Sequence, residues 1–309
     1  ASWGPPGEPP WEPPGASGAA AAGAGGGGGV GGVVGETPGE HAEEAEGTRL
    51  RFREENGAFD SQAYDLAMKA EPHDMITARA YRLIITTNAQ MDAGAVAGVT
   101  TVQSPISLAR AVMEQSPHVM LASRGAEQFA KELGIPEVSP VYFETERRKR
   151  ALESYKARTQ AGIEPHVDYK FGTVGVVVLD SKGNLVAGTS TGGMTGKRWG
   201  RIGDAPVIGA GTYADNRSCA VSATGHGEYF VRHTVARDIC ARMQFAGQSL
   251  NEAAEAVIMD ELVVAGGDGG IVAVDAGGEV TMIFNTPGMY RASVSGSGVK
   301  FIGIFGDEP

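Results

Sequence analysis

The hydrophobic and polar positions of this chain separate a weakly patterned first part from a regularly patterned second part. From Thr173 onwards, short runs rich in Val, Ile and Ala are separated by turns that contain Gly, Asn or Asp, which is typical of buried β-strands. The pattern predicts strands at 173–180, 185–190, 218–223, 270–274 and 280–284, with a last one at 300–305.

Two segments of the same region carry apolar residues at helical spacing, 228–243 and 250–264. Ser249 and Glu252 form a capping-box signature at the start of the second segment. Because strands are followed by two helices and then by strands again, the order predicts an α+β fold with antiparallel sheet covered by helices.

The preceding region, 91–172, is less regular. Ser104 and Pro105 mark the start of a helix with an apolar face. A short extended piece is expected at 118–122 and a second helix at 125–133. The charged stretch 141–159 contains four consecutive basic residues, 147–150, and is expected to be a solvated helix or linker. The exposed linker is placed at about 147–172.

The pattern of the first 90 residues predicts few structural elements. Residues 1–48 pass from Pro-rich to Ala/Gly-rich to acidic sequence, which buries too little apolar surface to offset the entropy of ordering, so this segment is expected to be disordered. Residues 49–90 are atypical, and one strand at 79–87 is the only element that their pattern predicts.

Composition narrows the function classes. The formal net charge is −11, which argues against a nucleic-acid partner. No run is long and apolar enough to span a membrane, and no secretory signal is recognised, so a cytoplasmic location is expected. The two cysteines, Cys219 and Cys240, form no CxxC pair, and we expect reduced, partly buried thiols instead of a disulfide framework or a zinc site.

Two glycine-rich loops resemble nucleotide-binding motifs but lack the spacing that those motifs require. In 192–198, Thr191 stands where a phosphate loop needs its first glycine, and Arg198 replaces the magnesium-binding Ser or Thr. The loop 266–270 precedes a strand instead of following one. No nucleotide cofactor is therefore expected.

Polar residues cluster at the ends of the predicted strands. Thr173 begins one strand, Thr191 ends the next and Thr224 ends a third, while Arg201 and Asp204 follow in a loop. An arginine fork suits a carboxylate and an aspartate suits an amine, so the last two residues could clamp an amino-acid head group. A surface ion pair and ordinary sheet threonines are the alternatives. We interpret His226 and His233 as incidental.

The motifs in which these residues lie resemble the isoaspartyl peptidase/plant-type L-asparaginase family of N-terminal-nucleophile hydrolases. The resemblance is dense across 173–291 and weaker over 94–129. The motifs that carry it lie at 173–180, 190–195, 200–204, 224–228, 284–286 and 288–291. It implies a four-layer αββα sandwich and self-cleavage between Gly172 and Thr173, with 91–172 as the remainder of an α-subunit and 173–309 as the β-subunit.

The resemblance also implies residue roles. Thr173 would be the nucleophile, and its freed α-amine would be the base. Thr191 would orient Thr173, and the Thr224 hydroxyl with the Gly225 N–H would form the oxyanion hole. The substrate-binding residues would be Arg201 for the α-carboxylate and Asp204 and Gly227 for the α-amine. The substrate would be asparagine or an isoaspartyl dipeptide, without a cofactor, and the assembly a dimer of cleaved α/β pairs.

The first 90 residues depart from the family. Its opening strand with a His-Gly-Gly-Ala-Gly motif and its sodium-holding Asn-Ala-Gly loop are not found, so no metal ligand is assigned. Three explanations stay open: a mistaken reading frame over the first residues, a truncated inactive relative, or a strand at 79–87 that replaces the missing one. The alternative function is accordingly an unprocessed, inactive relative or a ligand-binding remnant.

Overall fold

The computed structural model describes residues 31–36, 80–86, 91–163, 172–298 and 300–306. Its strands are β1 Gly31–Glu36, β2 Ala80–Thr86, β3 Ala93–Val99, β4 Met120–Ala122, β5 Thr173–Leu179, β6 Leu185–Thr191, β7 Thr212–Ala214, β8 Cys219–Gly225, β9 Gly269–Asp275, β10 Val280–Thr281, β11 Tyr290–Val294 and β12 Lys300–Gly303. Its helices are α1 Pro105–Gln115, α2 Ser123–Glu132, α3 Glu146–Gln160, α4 Gly227–His233, α5 Val235–Ala241, α6 Leu250–Glu255 and α7 Leu262–Ala265.

The strands form two sheets. The larger has the order β12-β11-β1-β5-β6-β2-β3-β4, and the smaller has the order β10-β9-β8-β7. The pairs are antiparallel except β3 with β4. β5 and β6 lie against β8 of the other sheet. Their approach depends on Gly175, because a side chain there would collide with the Ser222 side chain. The predicted α+β class is confirmed.

The strand predicted at 280–284 follows β9 to its start. β10 covers Val280–Thr281, and Phe284 pairs with Gly270 in an isolated antiparallel bridge of the same register. The Ile271 N–H donates to the Ile283 carbonyl, and the Asn285 N–H donates to the Gly269 carbonyl. The Asn285 side chain also accepts from the Gly269 N–H and donates to the carbonyl of Gly267, which holds this end of the chain against the start of β9.

The two predicted helices pack on the smaller sheet. The first is interrupted at Thr234, which adopts a left-handed conformation (φ 48°) and separates α4 from α5. The second runs from α6 through a π-helical turn, Ala256–Glu261, into α7. The Ser249–Glu252 capping box is present as predicted. α5 lies against β7 and β8, and its Ile239 is fully buried.

The helices of the less regular region pack on the larger sheet, at the end formed by β2, β3 and β4. α1 begins at Pro105 as predicted, although the Ser104 hydroxyl bonds Ser107 instead of capping the helix. α1 and α2 lie against β3. They bury an apolar cluster of their own, here called the second apolar cluster, which includes Leu108 and Phe143 and is separate from the core between the smaller sheet and its helices. Most of the predicted linker forms α3, which has no fully buried residue.

Two strands come from the part of the chain that the sequence could not assign. β1 pairs with β5 and β11, and β2 pairs with β6 and β3. The expectation of disorder is therefore wrong for Gly31–Glu36, and the strand expected at 79–87 is found at Ala80–Thr86. The rest of 1–90 lies outside the described residues.

The cysteine prediction is also wrong. Cys219 and Cys240 form a disulfide, with their Cα atoms 5.4 Å apart. Cys219 begins β8 and Cys240 lies on α5, so the packing of this helix on the sheet brings together two residues that no sequence spacing relates. Within the described ranges, no helix is long and apolar enough to cross a bilayer.

Candidate active site

Thr173 and Thr191 face each other where β5 begins and β6 ends. They are direct Cα partners in the antiparallel ladder. The Thr173 hydroxyl donates to the Thr191 hydroxyl at 3.1 Å, and the Thr191 oxygen accepts from the Gly193 N–H at 3.0 Å. Both threonines are buried, and so is Gly172. The ladder thus fixes the Thr173 hydroxyl relative to the backbone around Thr191.

The three residues expected to bind the substrate head group converge at the start of α4. A methyl group built on Gly227 would lie 2.7 Å from Asp204 Oδ1 and 2.9 Å from Arg201 Nη2. The space above the Gly227 backbone is therefore bordered by a carboxyl group and a guanidinium group. Any side chain at position 227 would fill that space.

Arg201 makes a two-point ion pair with Glu228. Nε donates to Oε1 at 2.8 Å and Nη2 donates to Oε2 at 2.7 Å. This pair holds the pKa of Glu228 below its usual range, mainly through the hydrogen bond from Arg201. The alternative of a surface pair between Arg201 and Asp204 is wrong, because Asp204 is buried and Arg201 pairs with Glu228.

Asp204 is an unusual carboxyl group. Burial raises its pKa to about 6, against the opposing effects of its own backbone N–H and the Arg201 charge, while the Glu228 charge raises it further. The loop is held in place because the Asp204 carbonyl accepts from the N–H groups of Val207 and Gly211. A bound ammonium group would favour the ionised form of this carboxyl.

Thr224 and Gly225 end β8 beside β5. The Thr224 hydroxyl is buried and has no hydrogen-bond partner among the described residues. It lines a narrow pocket together with Gly175, Ser222 and Met289. Gly225 is required where the chain passes Phe230, since an added methyl group would lie 2.5 Å from that ring. This pocket is too small for a water molecule, so the hydroxyl has no solvent partner there either.

Sequence reasoning missed two features of the site. The sequence places Glu228 in the motif at 224–228 without a role of its own, and its position directly after Gly227 is the signal that it could be a partner for Arg201. The second feature is a buried chain of hydroxyl groups between the sheets, in which Thr189 bonds both Ser222 and Thr212. Alternating Ser and Thr on neighbouring strands is the only sequence signal for it.

The histidines, the rejected phosphate loop and the cysteines complete the set of candidates that the sequence offers. His226 Nε2 is 3.3 Å from Glu228 Oε2, and His233 ends α4. In the rejected phosphate loop, the Lys197 amine donates to the Gly192 carbonyl. The cysteines are joined in the disulfide, which leaves neither of them as a nucleophile.

The comparisons with known proteins identify the family of the chain. The sequence model of the asparaginase family matches residues 82–304. This chain belongs to that family. The family resemblance drawn from the motifs is thereby confirmed, and the matched range includes every candidate site residue.

Several members of the family are similar along most of the chain. An isoaspartyl peptidase of Escherichia coli (strain K12) is 51% identical over 207 residues, which are 65% of this chain and 64% of the relative. A putative isoaspartyl peptidase/L-asparaginase of Dictyostelium discoideum is 43% identical over 243 residues, 68% of this chain and 69% of the relative. An isoaspartyl peptidase/L-asparaginase of Xenopus laevis is 42% identical, with 73% and 72% covered. The chain thus spans less than two thirds of the length of the E. coli relative.

The sodium-holding loop of the family has no counterpart motif in this sequence. Among the residues that the structure describes, no group of three or more His, Cys, Asp or Glu side chains could hold a metal ion.

Proposed function

We propose that this chain is a self-cleaving hydrolase of isoaspartyl peptides and asparagine, with Thr173 as its N-terminal nucleophile. The observation that carries the proposal is the hydrogen bond from the Thr173 hydroxyl to Thr191, at the point where β5 begins. The names of its relatives, isoaspartyl peptidase and L-asparaginase, supply the substrate class.

Self-cleavage would begin with attack of the Thr173 oxygen on the carbonyl carbon of Gly172. The hydroxyl proton passes to the Thr173 nitrogen as the peptide bond breaks, which leaves an ester between Gly172 and Thr173 and a free α-amine. Water then hydrolyses the ester to a Gly172 carboxylate and a free Thr173 hydroxyl. The new α-amine has an ordinary pKa of about 8, which suits a general base near neutral pH.

Substrate hydrolysis would use the same hydroxyl. Arg201 binds the α-carboxylate, and Asp204 with the space above Gly227 receives the α-amine. Thr173 attacks the side-chain amide, and the Thr224 hydroxyl with the Gly225 N–H stabilises the oxyanion. The leaving group takes the proton as ammonia or as an amino acid, and water then hydrolyses the ester on Thr173 to release aspartate.

The proposal extends to the architecture and assembly of the chain. We infer a four-layer αββα sandwich from the contacts of α1 and α2 with one sheet, of α5 with the other, and of the sheets with each other. After cleavage, 91–172 would belong to an α-subunit and 173–309 would be the β-subunit, with two such pairs forming a dimer. An inactive remnant is not favoured, because the substrate-binding residues converge and the relatives carry hydrolase names.

The test is intact mass and N-terminal sequencing of the purified chain after incubation at neutral pH. The expected result is a fragment that begins Thr173-Val174-Gly175, and it should release aspartate from β-aspartyl dipeptides. Thr173→Ala is the control and should stay a single chain, whereas Thr173→Ser should still cleave. A wild-type chain that stays full-length would contradict the proposal.

A further inference from the structure

The guanidinium group of Arg148 lies against Gly172, the residue that precedes the proposed nucleophile. A methyl group built on Gly172 would be 2.5 Å from Arg148 Nη2. Because a C–C bond is about 1.5 Å long, Nη2 lies within about 4 Å of the Gly172 Cα. Gly172 is buried, and Arg148 is partly buried.

We propose that Arg148 is a catalytic residue of self-cleavage, which stabilises the negative charge that develops on the Gly172 carbonyl oxygen. The inference rests on the proposed function. It adds a residue from the part of the chain that precedes the cleavage site. Attack by the Thr173 oxygen converts the Gly172 carbonyl to an oxyanion, and a cation held beside that residue lowers the energy of this intermediate. The same guanidinium group suits the Gly172 carboxylate that hydrolysis of the ester produces.

The position of Arg148 is fixed by its helix. Phe143, just before α3, is buried in the second apolar cluster, and the Thr145 side chain caps the helix by accepting from the Arg148 N–H. Seven residues on, the Tyr155 ring packs against Gly196 of the loop that follows β6. Arg148 and Tyr155 are two turns apart and thus lie on one face of α3. This face contacts the residue before Thr173 and the loop after Thr191.

The experiment follows cleavage of the newly made full-length chain. Each variant is synthesised in a cell-free system with a radioactive label, and the precursor is followed by gel electrophoresis after synthesis is stopped. Arg148→Gln should slow cleavage by about 10²-fold, the effect typical of losing one oxyanion donor. Arg148→Lys keeps the charge and should be slowed less. Arg150→Gln removes an exposed arginine from the same helix and should cleave like the wild type.

Chemical rescue separates a role at the carbonyl from a role in folding. Guanidinium ion at low millimolar concentration should accelerate cleavage of Arg148→Ala and leave the wild type unchanged.

Cleavage of Arg148→Gln at the wild-type rate would overturn the inference and leave the proposed function standing. Slow cleavage of Arg148→Ala without rescue, together with a lowered melting temperature, would assign Arg148 a structural role and also overturn it. A wild-type chain that never cleaves would overturn both.

Discussion

The Thr173 hydroxyl donates to the Thr191 hydroxyl at 3.1 Å across the first pair of the β5–β6 ladder. Because the Thr191 oxygen also accepts from the Gly193 N–H, its own proton points elsewhere and its lone pairs face two donors. This arrangement holds the Thr173 side chain in one orientation before any substrate binds. Orientation of a nucleophile contributes to the rate without changing the nucleophile itself.

Replacing Thr191 by Val should therefore lower kcat and leave the fold intact. The Thr173 hydroxyl and the Gly193 N–H both lose their partner, and we expect kcat for a β-aspartyl dipeptide to fall by about 10- to 10²-fold. Thr191→Ser keeps the hydroxyl and serves as the control. Steady-state kinetics on fully processed protein provide the measurement. Equal kcat for the Val and Ser variants would show that the hydrogen bond does not orient Thr173.

Thr224→Val should separate activity from stability. The Thr224 hydroxyl is buried without a partner among the described residues, so replacing it by a methyl group should leave the free energy of unfolding unchanged or slightly higher. If the hydroxyl is an oxyanion donor, kcat should fall by about 10²- to 10³-fold. Urea denaturation and steady-state kinetics are measured on the same preparation, with Thr224→Ser as the control. A stable variant that keeps its activity would remove Thr224 from the mechanism.

Sequence reasoning was most successful where local pattern and tertiary structure agree. β5, β6, β8 and β9 are apolar runs bounded by turn residues, and each is found within two residues of its predicted limits. The convergence of Arg201, Asp204 and Gly227 also follows the prediction, because these residues lie in short segments of recognisable motifs.

The features that sequence reasoning missed depend on distant contacts. The sequence of β1, Gly-Gly-Val-Val-Gly-Glu, has a low intrinsic strand propensity, and the strand is paired on both sides by β5 and β11. The left-handed Thr234 interrupts a segment that contains neither Gly nor Pro. The Arg201–Glu228 pair and the Cys219–Cys240 disulfide join residues 27 and 21 positions apart, which only the packing of α4 and α5 brings together.

The Cys219–Cys240 disulfide should contribute measurably to stability. Closing a loop between residues 21 positions apart restricts the unfolded chain by about 3 kcal/mol in the chain-entropy description. Reduction of the wild type should lower the free energy of unfolding by about this amount, measured by urea denaturation with and without dithiothreitol. The Cys219→Ala/Cys240→Ala variant is the control and should not respond to the reductant. Two thiols titrating in unfolded, unreduced wild type would contradict the disulfide.

The pKa of Asp204 predicts a limit on substrate binding at low pH. Burial raises this pKa to about 6, and only the ionised carboxylate pairs with the substrate ammonium group. KM for asparagine should therefore rise as the pH falls through about 6, while an ordinary aspartate would show this rise about two units lower. Kinetics between pH 5 and pH 8 provide the test. Constant KM across that range would show that Asp204 does not bind the amine.

The same pKa predicts that Asp204→Asn stabilises the protein while it abolishes amine binding. The folded-state pKa of about 6 lies above the reference value of 3.8, so the folded state favours the protonated carboxyl. The associated stabilisation is fully present below about pH 4 and is lost as the pH rises through about 6, by about 3 kcal/mol in all. Asp204→Asn lacks this titration, so its free energy of unfolding relative to the wild type should increase from pH 4 to pH 6 and then stay level. Urea denaturation at pH 4, 5, 6 and 7.5 measures the difference, and a difference that does not change with pH would contradict the raised pKa.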